Sequence, residues 1–141
     1  MLKIDAGMIR RGVRVGLRTT WELAKIVVPT AVLVAVFKAS GFLDNVTEFF
    51  SPYMGYFGLS GEAAVVLFSG YFVNLYAAAG SIIALELPFA EVTVLAVMLT
   101  FCHSLLVELP ISKKAGSPLF YIFLIRLAAS LGMGLLLGVI F

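Results

Sequence analysis

Between Glu62 and Glu86 the chain runs for 23 residues without a formal charge, and the middle of that run is broken by Asn74-Leu75-Tyr76-Ala77-Ala78-Ala79-Gly80-Ser81. An apolar run of about 20 residues is what a helix needs to cross a bilayer, so the tract belongs in a membrane rather than in a soluble core. Polar residues half-way along such a run are costly there and mark a place where something is bound or satisfied. Composition points the same way. The chain is 62% hydrophobic and 13% charged, against roughly 25% charge in a soluble domain. Its 141 residues leave room for about four membrane segments and for no soluble catalytic domain.

Six of the ten basic residues, Lys3, Arg10, Arg11, Arg14, Arg18 and Lys25, fall in the first 25 positions. Such clusters favour the cytoplasmic side of a membrane. The expectation is a multi-pass protein of the cell (inner) membrane with its basic amino terminus in the cytoplasm. From Lys3 to Thr20 the pattern is that of an amphipathic helix: Arg10, Arg11, Arg14 and Arg18 share one face beside an apolar stripe of Ile9, Val13 and Leu17. Residues 1–22 therefore read as a basic interfacial helix on anionic lipid, with Trp21 near the headgroups, and residues 23–141 as the membrane domain. Gly7, Gly12 and Gly16 weaken that helix, which leaves a solvated basic leader as the alternative. A nucleic-acid partner is not expected, because the chain has no basic groove or readout motif. Ile26 to Phe37 has the length of a signal-peptide core, but Phe37-Lys38-Ala39 is a poor cleavage site.

The first span is expected from about Ile26 to Leu43, with Lys38 snorkelling at its far end. Asp44 to Ser51 reads as an interfacial turn, and Pro52 to Gly58 as a half-helix or interfacial segment rich in aromatics. The tract after Glu62 is either one interrupted span or two half-helices with their tip near Asn74. Charge placement favours the hairpin, which returns the span Glu91 to Glu108 inward and puts Lys113 and Lys114 in the cytoplasm. The last segment, Pro118 to Phe141, spans with Arg126 about eight residues in. The predicted fold is thus an all-α integral membrane protein: an amino-terminal amphipathic helix and about four membrane segments, with a re-entrant or broken helix around Asn74 and a second break near Glu108-Leu109-Pro110. Ser130, Gly134 and Gly138 permit close helix approach, either within the chain or between copies.

Enzyme signatures are absent from the sequence: it has no nucleophile elbow, HExxH, Walker A loop or Rossmann fingerprint, so no catalytic residue is expected. In Cys102-His103-Ser104, neighbouring helical residues point about 100° apart and form no catalytic pair. One Cys and one His leave at least two metal ligands unsupplied, so neither metal nor cofactor is expected. The candidates for solute binding are polar residues at depth. Asn74 lies twelve residues from each charged end of its tract. It either satisfies backbone freed at a helix break or, with Tyr76 and Ser81, lines a solute cavity. Glu108 stands beside backbone loosened by Pro110, or is a boundary carboxylate in the headgroup region. His103 lies about 140° round a continuous helix from Glu108, so the two converge only if that helix breaks. Arg126 needs an anionic partner, Glu108 or Glu62.

Gly70-Tyr71-Phe72-Val73-Asn74-Leu75-Tyr76-Ala77-Ala78-Ala79-Gly80-Ser81, followed by Cys102-His103-Ser104-Leu105-Leu106-Val107-Glu108-Leu109-Pro110, resembles the nucleoside-recognition or Gate domain. That domain occurs in relatives of concentrative nucleoside transporters, in the membrane part of B-type ferrous-iron transporters and in spore-maturation A and B proteins. The resemblance runs from about Leu23 to the carboxyl terminus. It implies a helical membrane domain with two chain breaks facing a central pathway, Asn74 matching the first and Cys102 with Glu108-Leu109-Pro110 the second. Iron-transporting relatives carry a cysteine in the first break, where this chain has Val73-Asn74, so iron is not the expected cargo. The expected function is half of a transport pathway for a nucleoside-like or other small polar solute or ion. A second copy or a related membrane subunit would complete it, because the chain shows no internal duplication. The spore-maturation resemblance implies the alternative, a non-transporting scaffold or accessory subunit.

Overall fold

The structure is a computed structural model that describes residues 6–140; Lys3 and Phe141 lie outside them. Every regular element among the described residues is helical. Helix α1 (Ala6–Ala39) turns at Gly41, whose positive φ of 74° suits glycine, into α2 (Phe42–Met54) and a 3₁₀ turn (Gly55–Phe57). Helix α3 (Ala63–Phe68) passes directly into a π-helical turn (Ser69–Val73), and α4 (Leu75–Leu85) follows. Helices α5 (Phe89–Phe101), α6 (Leu105–Lys114) and α7 (Leu119–Gly138) complete the chain. Among the described residues three stretches are long and apolar enough to cross a membrane: Gly7–Ala39, Phe89–Lys114 and Leu119–Gly138. The fold is all-α and of membrane type, as its composition requires.

The uncharged tract is folded back on itself. Ser69 Oγ lies 3.1 Å from Ser81 Oγ, twelve residues on, a contact that a continuous helix with a rise of about 1.5 Å per residue could not make. The two arms form an antiparallel hairpin with its tip at Asn74, and both open ends sit against the end of α1. There Lys38 Nζ donates to the Leu85 carbonyl at 3.4 Å and lies 3.9 Å from Glu62, so Lys38 caps the last turn of α4 instead of reaching only for headgroups. Helix α5 starts at the same end, where Glu91 accepts from the Ser60 backbone N–H and hydroxyl at 3.0 and 2.7 Å. Lys113 and Lys114 close α6 at the opposite end, as does the start of α1.

Glycine sets the closest approaches. A Cβ on Gly80 would meet the Val27 carbonyl at 2.7 Å, so only glycine lets α4 lie against α1 at that point. The small stripe on α7 is used within the chain. Ser130 and Gly134 are buried, and a Cβ on Gly134 would meet Met98 Sδ at 2.6 Å, while one on Gly138 would meet the Phe57 carbonyl at 2.6 Å. The core gathers around Leu95, Met98, Leu99, Val66 and Leu43.

Three sequence expectations change. Asp44 to Ser51 is no turn but the middle of α2, whose Leu43, Val46 and Met54 face inward at helical spacing. The basic leader and the first span are one uninterrupted helix through Pro29, the span ending at Ala39 rather than Leu43. Thr30 Oγ1 donates to the Ile26 carbonyl at 2.9 Å in that turn. The second break lies at Cys102–Ser104, not at Glu108–Pro110. Pro110 sits inside α6, and the carbonyl it cannot pair with belongs to Leu106, in the first turn.

Candidate functional site at two chain breaks

Asn74 is extended (φ −172°, ψ 171°) and separates the π turn from α4. Its backbone N–H closes the π turn on the Ser69 carbonyl at 3.1 Å, and its side-chain Oδ1 accepts the Ala77 N–H at 2.9 Å, as an N-cap does. The expectation that its amide satisfies backbone at a break is met, and the residue is still half-exposed. The carbonyls of the π turn beyond Ser69 have lost their helical donors. One of them, Gly70, accepts the Ser104 backbone N–H at 2.9 Å. The two breaks therefore meet.

The second break is shaped by Ser104, a non-glycine residue at φ 49° and ψ 38°. Left-handed backbone at such a residue costs of order 1–3 kcal/mol and persists only where its surroundings hold it, as the Gly70 carbonyl does here. The turn swings His103 back, so that its Nδ1 lies 2.9 Å from the Leu99 carbonyl and its Nε2 lies 3.2 Å from Glu108 Oε1. Glu108 Oε2 pairs with Arg126 Nη1, and Arg126 Nε donates to the Phe101 carbonyl at 3.1 Å. One guanidinium thus ties the last turn of α5 to the carboxylate of α6 from across α7. Behind the cluster, Tyr71 Oη lies 2.6 Å from Ser130 Oγ, which donates to the Met98 carbonyl at 2.7 Å. That buried chain fixes the π turn against α5 and α7.

The six sequence candidates separate into groups. His103, Glu108 and Arg126 converge, with side chains 30%, 31% and 23% exposed. Arg126 takes Glu108 and not Glu62, which is at the other end with Lys38. Asn74 lies at the hairpin tip, and Tyr76 is exposed one helical position into α4. Ser81 is fully buried and bonded to Ser69 and to the Ala77 carbonyl, so it serves the hairpin seam. Cys102 is buried at the break. Ser104, Gly70, Tyr71 and Ser130 were not among the predicted site residues, since no glycine, proline or charge marks the second break in sequence. A groove of ≈ 560 Å³ lies away from the breaks, lined by Asp44, Thr47, Glu48, Ser51, Pro52 and Glu62.

A helical membrane domain with two chain breaks is what the sequence resemblance implies, and the bond between the breaks is added by the structure. The family model described as Gate, nucleoside recognition, matches residues 20–119. The chain belongs to the Gate family. It is also 40% identical over 116 residues to YvoD of Bacillus subtilis (strain 168), described as an uncharacterized membrane protein. That match covers 82% of this chain and 37% of YvoD, so the chain spans little more than a third of that relative. No solved structure matches. Both breaks of the Gate domain lie inside the matched region, as does Glu108. Arg126 and Ser130, which brace them, come from α7 beyond it.

Proposed function

We propose that this Gate domain forms half of a solute pathway through the cell membrane. The observation that carries the reading is the position of the ionic cluster. His103, Glu108 and Arg126 lie a quarter to a third exposed on the surface of a single chain, His103 and Glu108 following the start of α5 by 14 and 19 residues. Around them Phe72, Val73, Leu75, Phe101 and Leu106 are exposed and apolar. Charged groups facing lipid at that depth are expensive, and in membrane proteins they face a bundle interior or a hydrated cavity. A second copy of this chain, or a related membrane subunit, supplies the opposite wall. The greater length of YvoD is compatible with a protein that carries such a partner in the same chain.

In this reading the hairpin enters and leaves from the outer side and its tip carries Asn74 to mid-depth. The basic start of α1, Lys113 and Lys114 lie in the cytoplasm. Asn74 and Tyr76 from the first break, with His103 and Glu108 from the second, contact the solute, and Arg126 positions Glu108. The family description makes a nucleoside, or another small polar solute, the first class to test. The chain performs binding and passage and catalyses no reaction.

The test is a thermal-shift screen of the purified chain in lipid nanodiscs against nucleosides, bases and small polar solutes, since a ligand at 100 times its Kd stabilises by about 2.7 kcal/mol. A hit is followed into uptake by proteoliposomes, with Asn74→Ala and Glu108→Gln alongside. Selective stabilisation lost in both variants, by more than their own lowered melting accounts for, supports the pathway. A chain inert to every solute yet tightly bound to another membrane protein would act as a scaffold or accessory subunit instead.

A further inference from the structure

The hydrogen bonds around His103 fix how many protons it holds. Leu99 offers its imidazole a carbonyl oxygen, which only accepts, so Nδ1 carries a hydrogen. Nε2 is then left 3.2 Å from Glu108 Oε1, within hydrogen-bond range. A bare Nε2 facing an ionised carboxylate would set two lone pairs against each other. The contact holds only if one further proton lies between them, on nitrogen as imidazolium or on oxygen as the acid. Arg126 donates to the other carboxylate oxygen, so Oε1 is the oxygen left to share that proton.

We propose that His103 and Glu108 form a binding site for a single exchangeable proton, which latches the two halves of the broken helix. Nδ1 anchors the ring to α5, and Glu108 belongs to α6, so the bridging proton joins one helix to the other across Cys102–Ser104. Its departure turns an attraction into a repulsion at the residue next to the Ser104–Gly70 contact. The charged group facing the pair is Arg126 from α7; the Cys102 thiol lies beside it at the break, with the Tyr71 phenol of the π turn next to that thiol. Lys113 and Lys114 lie more than a turn further along α6. The site rests on the geometry of this chain and does not depend on whether a solute crosses it.

His103 is the chain's one histidine, so ¹⁵N-histidine labelling reports this ring without any substitution. Long-range ¹H–¹⁵N correlation spectra in nanodiscs, recorded between about pH 5 and 8, should show Nδ1 protonated throughout and any exchangeable ring proton on Nε2 alone. In Glu108→Gln the Nε2 signal should move while Nδ1 stays protonated, because only Nε2 faces the substituted group. A ring protonated on Nε2 with Nδ1 bare would overturn the proposal. So would a Nε2 that stays bare across the range while the Glu108 carboxyl carbon, assigned by its loss in Glu108→Gln, reports the ionised form. If Glu108→Gln does not fold, the spectra of the unsubstituted chain decide alone.

Discussion

The buried hydroxyl pair Tyr71–Ser130 gives a quantitative test of how the first break is held. Ser130 is fully buried and Tyr71 nearly so. Ser130 has one hydrogen and directs it at the Met98 carbonyl, 2.7 Å away, so the 2.6 Å contact with Tyr71 must be donated by the phenol. The two deletions are therefore unequal. Tyr71→Phe removes the donor and leaves Ser130 still bonded, a loss of about 0.5–1 kcal/mol. Ser130→Ala strands the phenol hydrogen in a dry site, which costs about 1–3 kcal/mol; the Met98 carbonyl keeps the Cys102 N–H at 3.2 Å and is not orphaned. In the double variant no donor is stranded, so its loss should not exceed that of Ser130→Ala and should fall short of the sum by at least about 0.5–1 kcal/mol. Interhelical hydrogen bonds in membranes average roughly 0.6 and reach about 1.7 kcal/mol, which brackets the coupling. Reversible unfolding in mixed detergent micelles, followed by far-ultraviolet circular dichroism, measures all four corners of the cycle. Additivity within about 0.3 kcal/mol, or Tyr71→Phe as the more damaging single change, would refute the assignment of donor and acceptor.

Asn74→Ala should lower stability by about 0.5–2 kcal/mol through loss of the cap, and Asn74→Ser should recover most of it; recovery of solute binding by Asn74→Ser as well would mean that the amide does not touch the solute. Gly134→Leu together with Gly138→Leu should lower the melting temperature of the single chain, because the side chains would drive into Met98 and Phe57; intact folding with weakened association would place that face between copies instead. On a Cys102→Ser background, cysteines at positions 10 and 113 should react with impermeant reagent from the same side of the membrane, and labelling from opposite sides would exclude the hairpin orientation.

The first break was legible because a bilayer makes polarity at mid-depth conspicuous: Asn74 stands alone in an uncharged run, ahead of an apolar segment that it caps. The second break was misplaced because Pro110 is the strong local signal while the determinant is tertiary. No glycine or proline lies at Cys102–Ser104, and the Ser104 conformation is held by a carbonyl more than thirty residues away. Pro110, in turn, sits inside α6 at the loss of one helical bond, to the Leu106 carbonyl of the first turn. Helix α2 was missed for a related reason. Asp44, Asn45 and Glu48 read as turn residues, whereas the inward spacing of Leu43, Val46 and Met54 is the helical signal. The convergence of His103 with Glu108 was predictable only conditionally, on a break between them, and the choice of Arg126's partner needed the packing of α7.

The bond between the breaks constrains how such a domain can move. A hairpin tip and a kinked helix each expose backbone groups that have no helical partner, and in a low-dielectric setting each such group is worth several kcal/mol. Here the Ser104 N–H and the Gly70 carbonyl answer each other at 2.9 Å, so neither break can straighten or slide without stranding the other. The hairpin is also fixed at its base by Lys38 and behind its tip by Tyr71 and Ser130. Helix α6 is held to the body chiefly through groups at its start: Arg126 on Glu108, and His103 on the same carboxylate. In the proposed pathway, motion that opens a way past Asn74 therefore falls more easily on α6, by releasing Glu108, than on the hairpin. A disulfide between cysteines placed on α6 and α7 should then block passage more completely than one tying the hairpin to α1.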